Sequence, residues 1–505
     1  MAFDSFSDFL DILANKNELI RIPFPCATEL EITQWADIEM KKNNGGKALL
    51  FEKPSVNQKI SRFPLAINCY GSDRRMAICL GEDSLAEAVD RIAKIIPAAP
   101  PMHLKDLAKL FTTAIDLRHA KPKFVNSGPC KEVIHLLNTK DKIPTQTSTE
   151  SNQYFPTILD LPILKCWPKD AGRFITLPCV VTQDPDTGIR NIGMYRMQVF
   201  DPQLTGLHWQ PQKTGAIHFY KYKQKNLKMP VSVFLGGDPV FAFCAAAPLP
   251  EGIDEFILAG FLRRKSVELV KCETNPLEVP ANADVVIEGY VDPTEDFKIE
   301  GPFGDHTGFY TNPEPYPVFH ITAITHKKNA VYPATIVGKP PMEDYYFGNT
   351  ATKLLMPILK LNFPELVDIA FPAEGVFHNL VFVSIKKTYP WQAYKIMHGL
   401  WGMGQMMFSK YIIVVDDSVN VHDTKEVLFH LGANTDPQHD CIFSQGPADA
   451  LDHATRLPNM GTKLGIDATK KLPGEGFNRP WPEPIEMPKD IKERVENLIA
   501  KLDLQ

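Results

Sequence analysis

Three short stretches of the chain combine residue types able to do chemistry, and the densest is Glu300-Gly301-Pro302-Phe303-Gly304-Asp305-His306-Thr307-Gly308. Its glycines and its proline impose a tight path, because glycine reaches backbone angles that other residues avoid and proline fixes φ. Two carboxylates and a histidine ride on that path. A plain surface turn accommodates the same residues. Against that reading, Phe303 and the following Phe309-Tyr310 make the neighbourhood apolar. Apolar surroundings raise a carboxylic acid's pKa until it can donate a proton near neutrality.

The second stretch is Asn191-Ile192-Gly193-Met194-Tyr195-Arg196, a β-type segment with Arg196 in otherwise apolar company. Positions 191 and 196 differ by an odd number, so an unbroken strand puts Asn191 and Arg196 on opposite faces. A shared site then needs a bulge, or a ligand that reaches around the strand. Taken alone, an arginine on a strand is most often a surface or ion-pair residue. The third stretch, Asp254-Glu255-Phe256, enters the apolar run 257–262 and reads first as a helix N-terminus, where acidic side chains complement the dipole. The sharper reading makes Glu255 an oxygen ligand for a hard metal.

The elements that must position these residues change in texture along the chain. Residues 1–115 read as α/β: Ser5 caps a helix whose Phe6, Phe9, Leu10 and Leu13 share one face, and a strand follows at 19–22. Apolar runs at 48–51 and 65–69 alternate with a helical pattern at 85–96, and the Pro-rich stretch 97–101 reads as a connection. Residues 116–325 carry short β-type runs at 174–183, 231–235, 240–245 and 283–290, broken by Gly, Pro and Asp turns, which favours a barrel or sandwich. Residues 326–475 return to α/β, with strands at 381–385 and 411–415. The tail, 476–505, ends in an amphipathic helix from about Asp490, with Ile491, Val495, Leu498 and Leu502 on one stripe. That stripe packs on its own chain or on a neighbouring subunit.

Composition removes several function classes. A chain of 505 residues with 44% apolar and 23% charged residues is a folded protein of two or three domains. The net charge of −6 offers no basic excess for nucleic acid, and Lys327-Lys328 reads as solvated surface. The nine cysteines are scattered without C-x-x-C spacing, so neither a disulfide framework nor a thiolate zinc site is indicated, and a cytoplasmic location fits. The N-terminus lacks a signal-peptide pattern and no apolar run reaches membrane-spanning length. Walker A, G-x-G-x-x-G, H-E-x-x-H and G-x-S-x-G motifs are missing, which counts against ATP hydrolysis, Rossmann dinucleotide binding, zinc proteolysis and serine hydrolysis.

With those residues in view, the sequence resembles the UbiD family of prenylated-FMN-dependent decarboxylases. Residues 191–196, Asp254-Glu255-Phe256 and 300–305 are similar, in order, to the family's signature regions. The likeness continues through Leu30-Glu31-Ile32-Thr33, residues 45–51, Lys271-Cys272, Val279-Pro280-Ala281, Gly338-Lys339-Pro340-Pro341, Met460-Gly461 and residues 465–469. The resemblance implies a central flavin-binding domain related to the split β-barrel of flavin reductases, flanked by α/β parts. It implies prenylated FMN made by a separate flavin prenyltransferase and held with manganese, and often potassium. Carried over residue by residue, it implies Asn191 and Glu255 as metal ligands. Met194, Tyr195 and Arg196, then His208, Trp209, Gln210, Lys213 and Thr214, match flavin-binding segments. Arg196, Glu300 and Asp305 match the catalytic network, with Asp305 as proton donor at a pKa raised by burial and by Glu300. Main-chain carbonyls around Cys244 to Ala247 match a potassium site. Two departures are visible: Lys213 stands where some members carry a metal-binding histidine, and Asp305 where others carry Glu.

The activity implied is non-oxidative decarboxylation of a hydroxyaryl acid in quinone biosynthesis. Residues 194–199 and Pro341-Met342-Glu343-Asp344-Tyr345 look most like the menaquinone members. The polyprenyl-hydroxybenzoate decarboxylase of ubiquinone biosynthesis is the neighbouring alternative. A flavin oxidoreductase or a non-catalytic flavin-binding protein on the same barrel are alternatives of a different class; the first has no use for the Glu300/Asp305 pair and the second no reason to keep Arg196 with it. The expected partners are an aromatic carboxylic acid, the prenyltransferase as cofactor supplier and further copies of the chain, as a dimer or hexamer, with no nucleic acid and no membrane span.

Overall fold

A computed structural model of the chain describes residues 2–93, 119–137, 157–249 and 252–502. The connection expected at 97–101 and the boundary placed at 115 lie outside those residues. The first helix, Phe6–Asn15, forms as its pattern requires: Ser5 accepts a hydrogen bond from the Asp8 amide at 3.1 Å, and Phe6, Phe9, Leu10 and Leu13 are all buried. It covers a small sheet in which Leu19–Ala27 pairs in parallel with Ala48–Val56, and Ala48–Val56 pairs antiparallel with Leu65–Ile67. The short strand Tyr332–Pro333, from far down the chain, completes this sheet beside Leu65–Ile67.

The central sheet has nine strands. Its path runs Phe174–Ile175, Met197–Asp201, Leu204–Gly206, Val318–His326, Val285–Val291, Met229–Leu235, Cys179–Gln183, Arg190–Met194, with Val133–Leu136 branching onto Val318–His326. Arg190–Met194 closes one end of this path, yet Met197–Asp201, next to the other end, follows it in the chain after only Tyr195 and Arg196. Consecutive Cα atoms lie about 3.8 Å apart, so the two ends of the sheet must come together. The sheet is therefore curled into a half-barrel, and Tyr195-Arg196 sits where its ends meet. Helices Thr214–Lys225, Val240–Ala246 and Glu255–Arg263 pack around it.

The C-terminal part is a second α/β layer. Its sheet runs Leu366–Ala370, Leu380–Ile385, Tyr411–Asp416, Met460–Asp467, Cys441–Pro447, and the three inner strands are parallel. The helix Glu343–Asn362 leads into it from the strand Tyr332–Pro333 of the first sheet.

Several expectations change. Residues 240–245 form a helix rather than a strand; an apolar run this short carries no decisive period, and it is buried on nearly all sides. The run 174–183 is two strands, interrupted at Leu177-Pro178, because proline cannot donate to the ladder. Lys327 is not solvated: it is buried and pairs with Asp284 at 3.4 Å. The nine cysteines are all unpaired. Among the described residues no helix is long and apolar enough to cross a membrane. The terminal helix, Lys489–Leu502, buries none of its residues, and Val495, Leu498 and Leu502 are 46%, 50% and 69% exposed.

Candidate active site

Arg196 owes its position to the break in the strand. The ladder between Cys179–Gln183 and Arg190–Met194 ends at Met194, and pairing resumes at Met197. The Tyr195 ring folds back over Gly193, where a Cβ would stand 2.1 Å from it, so only glycine fits. The Tyr195 hydroxyl accepts from the Gly215 amide at 3.3 Å and from Asn191 Nδ2 at 3.4 Å. The Arg196 carbonyl accepts from the His208 amide at 3.1 Å, which ties the next segment to the break. The alternation that would oppose Asn191 and Arg196 thus stops before Arg196.

The Gly-rich stretch is a hairpin that aims two carboxylates at this arginine. Glu300 ends the strand Lys298–Glu300, which pairs with Glu314–Tyr316. Gly301 has φ +90°, in the region that glycine alone enters cheaply, and its amide donates to Gln198 Oε1 at 2.8 Å. Asp170 clamps the turn: one oxygen accepts from the Gly304 amide at 2.8 Å, the other from the amides of Cys166 and Trp167 at 3.1 and 2.9 Å. Glu300 then takes Arg196 Nε at 2.8 Å and Nη2 at 3.1 Å, a two-pronged contact, while Asp305 accepts from Nη1. The side chains of Arg196, Glu300 and Asp305 are only 10%, 1% and 9% exposed. Phe303 lies 4.6 Å beneath the guanidinium and is buried, whereas Phe309 and Tyr310, expected to make the surroundings apolar, are largely exposed. His208 Nδ1 reaches Glu300 at 3.2 Å and its ring lies 4.0 Å from that of Tyr316.

The electrostatics overturn one expectation. Burial pushes Glu300 upward, but the His208 hydrogen bond and the Arg196 charge outweigh it and hold its pKa at about 2. Burial also pushes Asp305 upward, and again Arg196, with the bonds from His306, outweighs it and keeps the carboxyl well below the usual range. Asp305 is therefore ionised in this arrangement, not poised as an acid. The reason is geometric: a cation stands between the two carboxylates, so they do not raise one another. His208 is kept neutral by burial and by the nearby guanidinium.

A second group lies on the other side of Tyr195. Asn191, Thr214, His218, Lys221 and Glu255 line one cavity of about 310 Å³. Asp254 caps the helix Glu255–Arg263 by accepting from the Phe256 amide at 2.9 Å, as expected, and it also pairs with Arg190 at 2.8 Å. Glu255 accepts from the Ile192 amide at 2.7 Å, and burial pushes its pKa up to about 7. Among the described residues no lysine or arginine pairs with it. Asn191 spends its amide nitrogen on Thr182 and Tyr195, which leaves its amide oxygen as a ligand atom. Lys213 precedes the N-terminus of the helix Thr214–Lys225, and burial lowers its pKa. Hard oxygen donors, a buried carboxylate with no cation paired to it among the described residues, and a helix N-terminus suit a divalent ion beside a phosphate.

Comparison with known proteins gives the family. Residues 138–340 match the family model of the 3-octaprenyl-4-hydroxybenzoate carboxy-lyase Rift-related domain, UbiD, and residues 10–95 and 345–468 match the N- and C-terminal domains of the same enzyme. The chain belongs to the UbiD carboxy-lyase family. It is 46% identical to a protein of Archaeoglobus fulgidus over 98% of both chains, and 44% identical to one of Aquifex aeolicus over 99% of this chain and 98% of the other; both are described as uncharacterized. Among solved structures it is similar to vanillic acid decarboxylase of Sedimentibacter hydroxybenzoicus in closed form, with a TM-score of 0.82, 25% identity and 99% of each chain covered. The UbiD-class enzyme HmfF of Pelotomaculum thermopropionicum, in complex with FMN, gives a TM-score of 0.77 at 25% identity, covering 98% of this chain and 99% of that one.

Of the residues matched to UbiD signatures, the structure gathers Arg196, His208, Glu300 and Asp305 into one cluster and Asn191, Tyr195, Thr214 and Glu255 into another. Trp209 is buried against Tyr195, with ring centroids 6.1 Å apart, and Met194 is half-buried in its strand. Gln210 turns toward Asp449, 3.5 Å away in the C-terminal part. The helix Val240–Ala246 ends at the carbonyls matched to a potassium site. No local motif marks Asp170 or Gln198, which reach the hairpin from distant segments, nor Tyr316 on the hairpin's own second strand, so sequence reasoning assigned them no role.

Proposed function

We propose that the chain decarboxylates a hydroxyaryl carboxylic acid in quinone biosynthesis, on the menaquinone branch, with prenylated FMN, manganese and potassium bound. The observation that carries this reading is the buried Arg196 held between Glu300 and Asp305. When bound, prenylated FMN supplies the electron sink that no side chain offers to the pair left on an aryl carbon as carbon dioxide departs. Asn191 and Glu255 would hold the metal, and the N-terminus of the helix Thr214–Lys225 with Lys213 would supply the positive end for the cofactor phosphate. Arg196 binds the substrate carboxylate, and Glu300 with His208 fixes the guanidinium plane. As the substrate takes a share of Arg196, less positive charge remains on Asp305. The Asp305 carboxyl then moves back toward its ordinary range, so that it can take a proton from solvent water and deliver it to the product carbon.

The half-barrel that carries these residues supports a split-barrel flavin domain, and the uncovered stripe of the terminal helix supports a homo-oligomer, a dimer or hexamer; the same reading places the enzyme in the cytoplasm. The polyprenyl-hydroxybenzoate acid of ubiquinone synthesis remains a second reading, favoured by the name of the matching family model. The test is co-expression with a flavin prenyltransferase, mass and absorption of the retained cofactor, and a panel of naphthoic and hydroxybenzoic acids assayed for carbon dioxide. Release from a naphthoate acid is expected. A protein loaded with prenylated FMN that releases carbon dioxide from no aryl acid refutes the reading.

A further inference from the structure

One histidine of the hairpin is not used by the chemistry above. His306 donates its backbone amide to Asp305 Oδ1 at 2.7 Å, and its ring Nδ1 lies 3.0 Å from the same oxygen. The other ring nitrogen, Nε2, points away from the hairpin and meets His378 Nε2 at 2.9 Å. His378 comes from the turn between the C-terminal strands Leu366–Ala370 and Leu380–Ile385. Asp449 follows the strand Cys441–Pro447, and one ligand atom from each of His306, His378 and Asp449 lies within 4.8 Å of the other two. All three side chains are part-buried.

We propose that His306, His378 and Asp449 form a second divalent transition-metal site, distinct from the Asn191/Glu255 cavity, which clasps the hairpin to the C-terminal sheet. Two imidazoles and one carboxylate, with positions left open, are a donor set for zinc or another first-row ion. The spacing is close to what such an ion needs. Imidazole nitrogens each ~2.0–2.1 Å from tetrahedral zinc stand about 3.3 Å apart, so the present 2.9 Å pair would open by only ~0.4 Å. The surroundings add an independent sign. Metal-binding histidines commonly donate their other ring N–H to a carboxylate, which fixes tautomer and orientation. Asp305 stands in that place on His306, and Gln210 Nε2 lies 3.5 Å from Asp449 Oδ1. His378 Nδ1 is buried and has no hydrogen-bond partner among the described residues. A proton shared between the two Nε2 atoms is the alternative explanation of their contact, and it predicts no affinity for metal.

The site stands apart from the decarboxylase reading, because the readout is metal content and not turnover. Untagged full-length protein, stripped with chelator, is titrated with zinc, and with cobalt for its ligand-field absorption. The Glu255→Ala variant is taken in parallel to silence the other cavity. One ion per chain is expected in Glu255→Ala, with cobalt bands of a nitrogen- and oxygen-ligated centre and a rise in melting temperature with zinc. In His378→Ala and Asp449→Asn, each checked for native circular dichroism, the affinity of that ion should fall at least tenfold. Should Glu255→Ala not fold, the wild-type stoichiometry is expected to drop by one ion in His378→Gln. No ion bound outside the Glu255 cavity, or unchanged binding in folded His378 and Asp449 variants, overturns the proposal.

Discussion

Replacing Glu300 by Gln keeps the size of the side chain and removes its charge from between Arg196 and His208. The pKa of Glu300 is held at about 2 against an ordinary 4.5, and at ~1.36 kcal/mol per pH unit this amounts to about 3 kcal/mol of stabilisation. With the side chain 1% exposed, solvent screening takes little from that figure. The folded value lies below the unfolded one, so the contribution is complete above pH 4.5 and disappears as pH falls toward 2. Amide hydrogen exchange in peptides spanning residues 298–316 reads this locally, and comparison of variant with wild type at equal pH cancels the intrinsic rate. At about pH 7 the Glu300→Gln hairpin should exchange faster by roughly two powers of ten, and at about pH 3.5 the gap should shrink by about one of them. Turnover should fall with it, since Arg196 loses its two-pronged partner. A hairpin equally protected in both proteins at neutral pH, or a gap that does not narrow in acid, would show that the Arg196–Glu300 contact contributes nothing of this size.

Three further outcomes follow from the same geometry. Asp305→Asn should lower turnover by roughly two to four powers of ten while the protein stays folded and cofactor-loaded; near-normal turnover removes Asp305 from the chemistry. Glu255→Ala should lose manganese and flavin together, measured by metal analysis and absorbance, and retention of both defeats the ligand assignment. Removing residues 489–505 should lower the oligomer mass in light scattering, because Val495, Leu498 and Leu502 find no cover within the described chain; an unchanged mass leaves the helix without a role in assembly.

Much of the site was legible because its residues sit in local motifs whose types are restrictive. The capped first helix, the acidic start of Glu255–Arg263 and the hairpin after Glu300 all follow from neighbours a few positions apart. What was not legible depends on closure of the sheet. The parity argument for Asn191 and Arg196 assumed a continuous strand, but the ends of the half-barrel meet between them, and the Tyr195 ring lies over Gly193 to make the break. Nothing within 191–196 announces this, since the constraint comes from pairing partners as far away as Phe174 and Cys179. The same distance explains the wrong sign for Asp305. Sequence places Glu300 and Asp305 five positions apart and suggests repulsion, whereas the fold inserts an arginine from 104 residues before Glu300, and that charge together with the bonds from His306 outweighs burial. Local sequence therefore fixes which groups are present, while long-range pairing decides their protonation. An acid read from a motif becomes a donor only when something withdraws its cation, and in the proposed reaction that part would fall to the carboxylate of the substrate.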